Sequence, residues 1–128
     1  PLAPTASAFR APQFGPELTL AKGLVASYGS ETPIFFIKYA MGSTRIARDW
    51  LPNGEKSFYV PFIEFCRKGL AAALQPAILS GMFWLQGESD SALDRASAYH
   101  DNLVAFVRQV RADLDSPNLP FVASHVHS

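Results

Sequence analysis

The chain has 128 residues, of which 48% are hydrophobic and 12% aromatic. This composition fits one packed globular domain and not a disordered chain. Eleven basic and eleven acidic side chains give a formal net charge of zero, which does not favour nucleic acid or an anionic membrane as a partner. No apolar run reaches the roughly twenty residues that a membrane-spanning helix needs, and the single cysteine, Cys66, excludes an internal disulfide.

The N-terminal part of the sequence predicts a helix followed by a strand. Residues 1–14 are rich in proline and small residues and predict an irregular lead-in. Gly15-Pro16-Glu17 then favours a helix start, because proline is tolerated in the first turn and a carboxylate suits the positive end of the helix dipole. Apolar residues recur at helical spacing as far as Tyr28, and Gly29 is placed to end the helix. The apolar run Ile34-Phe35-Phe36-Ile37 predicts a strand over 34–39 that is buried on both faces, as in a parallel sheet.

The rest of the sequence alternates in the same way. Residues 42–57 predict a long polar loop, and a second helical pattern follows that ends before Pro76. The stretch 78–85 predicts a second strand, the residues up to Leu114 a third helix, and 121–124 a third strand. The order helix, strand, helix, strand, helix, strand predicts an α/β protein with parallel strands joined by crossovers.

The second predicted strand ends abruptly in the run Gln86-Gly87-Glu88-Ser89-Asp90. In open α/β sheets, ligands bind outside the carboxyl ends of the strands, so an amide and a carboxylate at this edge indicate a chemical site. The alternative is a polar turn that caps the next helix. Ser89 and Asp90 in particular favour the capping interpretation over a reactive one.

Three blocks and the C-terminal helix together resemble one family of enzymes. The blocks are Phe14-Gly15-Pro16-Glu17, then Lys38-Tyr39-Ala40-Met41-Gly42-Ser43-Thr44 with Trp50 downstream, then Trp84-Leu85-Gln86-Gly87-Glu88-Ser89-Asp90. With the tail from Tyr99 to Val122, they resemble the sialate O-acetylesterase and acetyl xylan esterase group of carbohydrate esterases. This group lies within the SGNH (GDSL-like) hydrolase superfamily, and the resemblance covers about residues 14–124.

This resemblance implies a flavodoxin-like three-layer α/β/α sandwich with a parallel sheet. It also implies a carbohydrate esterase that hydrolyses O-acetyl esters on sugars through a serine nucleophile and an acyl-enzyme, without a metal or organic cofactor. The implied partner is an acetylated carbohydrate, with no nucleic acid and no membrane, and the implied location is secreted or periplasmic.

The family's nucleophile lies in a Gly-Gln-Ser-Asn type motif and its catalytic histidine in an Asp-x-x-His motif, and neither motif occurs in this sequence. We therefore expect residues 1–128 to form a single SGNH-hydrolase-like domain, incomplete because it lacks both blocks. The alternative is a catalytically inactive fragment, or a carbohydrate-binding remnant of such a domain.

The resemblance also implies roles for individual residues. Gly42, through its backbone N–H, and Gln86, through its side-chain amide, correspond to donors of the oxyanion hole. The family usually has a second glycine where this chain has Ser43. Glu88 is the candidate catalytic acid that orients the histidine, although a competing assignment gives this role to the Asp of the Asp-x-x-His motif and leaves Glu88 structural.

The loop after the first predicted strand offers candidate substrate contacts at Ser43, Arg45 and Trp50, where a sugar ring could stack or hydrogen-bond. The alternative is a set of solvated polar groups with a packing tryptophan. Ser43 is disfavoured as a nucleophile because it lacks the Gly-x-Ser-x-Gly elbow. His125 and His127 alternate, but no carboxylate or cysteine is near them in sequence, so we expect no metal site.

Overall fold

The computed structural model describes residues 15–73 and 76–126. The chain divides into two compact units, Pro1–Lys38 and Tyr39–Ser128. The lead-in predicted for residues 1–14 and the histidine at position 127 lie outside the described residues.

The first unit contains helix α1, Glu17–Tyr28, which confirms the helix predicted from the sequence. At its start, the Glu17 carboxylate accepts hydrogen bonds from the Gly15 N–H at 3.1 Å and from Lys38 Nζ at 2.8 Å. The bond from Lys38 is the main reason why the pKa of Glu17 lies below its usual value. At its end, the Gly29 N–H donates to the Val25 carbonyl at 2.9 Å, and Gly29 adopts a φ of 87°.

The strand predicted over residues 34–39 is wrong, because this segment belongs to no strand. A strand needs a hydrogen-bonded neighbour, and none of the described residues pairs with these positions. The segment is also not buried on both faces, since Phe35 is 50% exposed. Hydrophobic composition alone therefore gave a false strand here.

The second unit is a mixture of helices with a small parallel sheet. Strand β1 (Met82–Trp84) pairs with strand β2 (Phe121–Ala123) in parallel, with Met82 opposite Phe121 and Trp84 opposite Ala123. These are two of the three predicted strands, each shorter than predicted. The arrangement is consistent with the α/β class, and the complete three-layer sandwich stays a prediction. The elements in chain order are a π-helical turn (Ile46–Trp50), α2 (Tyr59–Ala71), β1 (Met82–Trp84), a 3₁₀ turn (Glu88–Asp90), α3 (Leu93–Asp113) and β2 (Phe121–Ala123).

The core of this unit is an aromatic cluster centred on Trp84. Its ring centroid lies 4.5 Å from that of Phe106 on α3 and 5.2 Å from that of Trp50, in a T-shaped arrangement with Trp50. Helix α2 is joined to α3 where the Tyr59 hydroxyl donates to Asp113 Oδ2 at 2.6 Å. Burial, together with this bond to a carboxylate, raises the pKa of Tyr59 well above its usual value.

Residues 42–57, predicted as a polar loop, contain the π-helical turn Ile46–Trp50. Its apolar ends, Ile46 and Trp50, are buried, and so is Asp49, whose side chain accepts the hydrogen bonds that stabilise the turn. The Asp49 carboxylate accepts from the Arg45 N–H at 2.7 Å and from Arg48 Nε at 2.9 Å. Burial raises the pKa of Asp49, but the bonds from Arg48 and Arg45 outweigh burial, so the net pKa is below its usual value. The turn therefore fixes the chain directly after residues 42–44.

Candidate functional site

A cavity of about 330 Å³ lies between two segments of the second unit. One wall consists of residues 41–44, and the other follows β1 and includes Leu85 and Ser89. The cavity therefore lies at the carboxyl end of a parallel strand, the edge at which α/β proteins bind ligands. Four residues singled out from the sequence line it: Gly42, Ser43, Gln86 and Glu88.

The first wall has unusual backbone features at Gly42 and Ser43. Ser43 has a φ of 57°, in the left-handed region that favours glycine. A Cβ atom added at Gly42 would meet no atom within 4 Å, so the space beside Gly42 is open. Within the described part of the chain, the backbone N–H groups of Gly42 and Ser43 donate no hydrogen bond. Both are therefore available to an acceptor that enters the cavity.

The Gln86 side chain, on the opposite wall, is only 7% exposed, and both hydrogens of its amide are donated within the protein. Its Nε2 donates to the Thr44 carbonyl at 2.8 Å and to Asp90 Oδ2 at 2.6 Å. Its Oε1 is 3.2 Å from the Tyr99 hydroxyl. Since both amide hydrogens have acceptors inside the protein, direct donation by Gln86 to a ligand would require one of these bonds to break.

Asp90 is 4% exposed, and its Oδ2 accepts a second hydrogen bond, from the Ile46 N–H at 3.0 Å. The prediction that Ser89 and Asp90 cap the following helix is wrong. The N-cap of α3 is Ala92, and no side chain caps this end. The Asp90 carboxylate is instead buried, where it accepts from Gln86 and from Ile46, two residues after the first wall.

Tyr99, on α3, is hydrogen-bonded to the second wall of the cavity. Its hydroxyl donates to the Gln86 backbone carbonyl at 2.8 Å and accepts from Trp84 Nε1 at 3.2 Å. Burial is the largest contribution to the raised pKa of Tyr99. The carboxylates of Asp90 and Glu88 raise it further, against a lowering by Trp84. The hydroxyl therefore keeps its proton and acts as a donor. Sequence reasoning missed Thr44, Asp90 and Tyr99 as parts of this network.

Glu88 is exposed at the rim of the cavity, next to the buried Gly87. Its role as the acid that orients a histidine stays a prediction. Of the described histidines, His100 is exposed and lies 3.0 Å from Asp101. No group of three or more histidine, cysteine, aspartate or glutamate side chains in residues 15–73 and 76–126 is arranged to hold a metal ion.

The remaining sequence-predicted contacts, Trp50 and Arg45, do not line the cavity. Trp50 is only 4% exposed, packs edge-on against Trp84, and donates from Nε1 to Thr44 Oγ1 at 2.9 Å. This burial favours the packing alternative over stacking on a sugar. Arg45 is exposed, and its backbone N–H bonds to Asp49. Among the helices that the structure describes, none has the length and apolar character needed to cross a bilayer.

Comparison with known proteins identifies the family. The family model described as a carbohydrate esterase, sialic acid-specific acetylesterase, matches residues 1–128, the full length of the chain. No curated protein and no solved structure matches this chain. The full-length match agrees with the resemblance seen in the sequence blocks, two of which form the walls of the cavity. The chain belongs to the sialic acid-specific acetylesterase family of carbohydrate esterases.

Proposed function

We propose that the cavity is the oxyanion side of a site that hydrolyses O-acetyl esters on sugars. The observation that carries this proposal is the pair of unbonded backbone N–H groups, Gly42 and Ser43, beside the cavity in a chain of an acetylesterase family. When a nucleophile attacks an acetyl carbonyl, the carbonyl oxygen gains negative charge. Backbone N–H donors that are already in place stabilise that charge without reorganisation.

The local geometry supports the approach of a small acyl group. The open space beside Gly42 leaves room for the acetyl oxygen, and a single donor of this kind contributes about 2.7–4 kcal/mol to transition-state stabilisation. Gln86 borders the same cavity. It would become the direct donor predicted from the sequence only after leaving Thr44 or Asp90.

The remaining catalytic groups follow the chemistry of serine hydrolases. We propose attack by a serine, a tetrahedral intermediate and an acyl-serine, with a histidine as general base. Glu88 at the rim is the proposed acid that orients this histidine, in competition with the Asp of the Asp-x-x-His motif. Because neither family motif occurs in the 128 residues, we expect the isolated chain to bind acetylated sugar without hydrolysing it.

Nuclear magnetic resonance of the ¹⁵N-labelled chain tests the proposed binding site. We expect 9-O-acetyl-N-acetylneuraminic acid to shift the backbone amide resonances of Gly42 and Ser43, and N-acetylneuraminic acid to leave them unchanged. Gly42→Ala should weaken this response, because the methyl group occupies the open space. Gly23→Ala is the matched control, since its Cβ also meets no atom within 4 Å and Gly23 lies on α1. Equal shifts with both sugars would contradict the proposed site.

An esterase assay separates the alternatives. With acetylated xylan or 4-nitrophenyl acetate, we expect no acetate release above background by the isolated chain. Turnover that disappears in Ser43→Ala would show instead that Ser43 is the nucleophile. A longer parent that carries both motifs, binds the acetylated sugar and yet releases no acetate would favour the carbohydrate-binding remnant.

A further inference from the structure

We infer that Gln86 and Asp90 are positioning residues, forming a buried strut that fixes the 42–44 segment and so orients its N–H groups toward the cavity. This inference rests on the proposed function, and it assigns to Gln86 an indirect role in place of direct donation. A hydrogen-bond network through Gln86 joins the two walls.

The donors of Gln86 are fully used. Its single amide nitrogen carries two hydrogens, one directed to the Thr44 carbonyl and the other to the Asp90 carboxylate. The 2.6 Å bond to Asp90 is charge-assisted, and such bonds are shorter and stronger than neutral ones. Withdrawing Gln86 toward a ligand would either leave the Thr44 carbonyl without its donor or remove one of the two donors of Asp90 Oδ2, and both changes are unfavourable in a dry interior.

Thr44 receives this support from two directions. Gln86 bonds its carbonyl at 2.8 Å, and Trp50 Nε1 bonds its hydroxyl at 2.9 Å. Thr44 is 6% exposed and directly follows Ser43, whose left-handed φ of 57° is disfavoured for a serine. Strained backbone persists only where the surrounding structure over-determines it. The bonds to Thr44 therefore hold the conformation of Ser43 and the direction of its N–H.

Asp90 extends the strut to the π-helical turn. The same Oδ2 atom accepts from Gln86 and from the Ile46 N–H, so one carboxylate oxygen fixes both the second wall and the chain that continues the first wall. The separation of the walls, and with it the cavity, depends on this atom. An asparagine at position 90 would keep the shape but lose the charge that strengthens both bonds.

The test compares Asp90→Asn with Asp113→Asn in the ligand-free chain. Asp113 is a matched control because its carboxylate, like that of Asp90, accepts two hydrogen bonds at a single oxygen, here from Tyr59 at 2.6 Å and Gln109 at 3.0 Å. Asp113 does not line the cavity. In Asp90→Asn we expect hydrogen exchange of the Gln86 side-chain amide to become at least about tenfold faster, as for loss of a charged hydrogen bond. The Ser43 ¹³Cα shift should move toward extended values. Asp113→Asn should change neither signal.

Sugar titration of the wild-type chain gives a second readout. If Gln86 acts as a strut, the acetylated sugar should shift the backbone amide resonances of Gly42 and Ser43. The side-chain amide hydrogens of Gln86 should stay protected from exchange. Loss of that protection on binding would show direct donation by Gln86 and overturn the inference. Failure of the sugar to shift Gly42 and Ser43 would refute the proposed function. Unchanged Ser43 and Gln86 signals in ligand-free Asp90→Asn would refute the strut alone.

If Asp90→Asn does not fold, Tyr99→Phe replaces it. This variant removes the hydroxyl that bonds the Gln86 backbone carbonyl and approaches its Oε1, and leaves the Asp90 bonds in place. We expect faster exchange of the Gln86 side chain and a smaller displacement of the Ser43 ¹³Cα shift. Wild-type values for both signals would overturn the inference.

Discussion

Gly87→Ala tests whether the backbone between the two candidate residues Gln86 and Glu88 requires a glycine. Gly87 is buried and has a φ of 146°, a conformation that L-residues rarely adopt. A Cβ atom at this position would lie 2.9 Å from Val126 Cγ2 and 3.4 Å from the Tyr99 hydroxyl. The substitution therefore combines an unfavourable backbone with a steric overlap.

The expected loss follows from these two contributions. The backbone conformation costs roughly 1–3 kcal/mol for a residue other than glycine. An extra methyl group in a packed space costs about 1–3 kcal/mol more. Alanine also restricts the unfolded chain, which offsets about 0.4–1 kcal/mol. We expect the free energy of unfolding to fall by about 3 kcal/mol, a large part of the roughly 5–15 kcal/mol that stabilises a native protein.

Urea unfolding followed by tryptophan fluorescence measures this loss. Both tryptophans of the chain, Trp50 and Trp84, lie in the core of the second unit, so the signal reports on the correct unit. Gly42→Ala is the control and should stay within about 0.5 kcal/mol of the wild type, because its Cβ meets no atom within 4 Å. A Gly87→Ala variant as stable as this control would refute the reasoning from the φ angle and the Val126 contact.

Three further predictions concern stability and reactivity. Ser43→Gly should raise the free energy of unfolding by about 0.5 kcal/mol, since relief of the left-handed φ exceeds the entropy cost of glycine; a lower urea midpoint would contradict this. The bonds from Tyr59 and Gln109 lower the pKa of Asp113 in the folded chain. The Asp113 carboxylate therefore stabilises the fold above its unfolded pKa of about 3.9. This stabilisation is lost as the pH falls through the folded pKa. Tyr59→Phe should therefore lose less stability than the wild type on acidification below about pH 4, and identical acid profiles would contradict the prediction. Burial raises the pKa of Cys66 to about 11, so at neutral pH iodoacetamide should modify Cys66 only as fast as the protein opens; rapid modification of the folded chain would show an accessible thiolate.

The helices could be predicted because their signals are local. Pro16 and Gly29 stand at the two ends of α1, and the spacing of apolar residues predicted most of α3. The false strand over 34–39 shows the limit of this approach, because a hydrophobic run does not reveal which segment will supply its hydrogen bonds. The π-helical turn was not predicted, for a related reason. Its two buried anchors, Ile46 and Trp50, are surrounded by charged residues that together resemble a loop.

The cavity itself could be predicted in part, because the family resemblance pointed to Gly42, Gln86 and Glu88, and all three line it. The hydrogen bonds that fix the walls of the cavity could not be predicted from the sequence. Gln86 bonds a carbonyl 42 positions earlier, and Asp90 bonds an N–H 44 positions earlier, and no spacing rule connects such residues. Locally, Asp90 resembles a helix cap, and the tertiary contact overrides that preference.

The long sequence separation of the bonds at Asp90 and Gln86 has a consequence for the order in which the protein folds. Closing a loop of more than forty residues costs chain entropy before the bond can form, whereas the turns of α3 form from neighbouring residues. We expect α3 to acquire hydrogen-exchange protection early in refolding and the Gln86 side-chain amide to acquire it last. A partly folded chain would then contain its helices but no cavity. Protection of the Gln86 side-chain amide would then report on completion of the native state more sharply than helix content does.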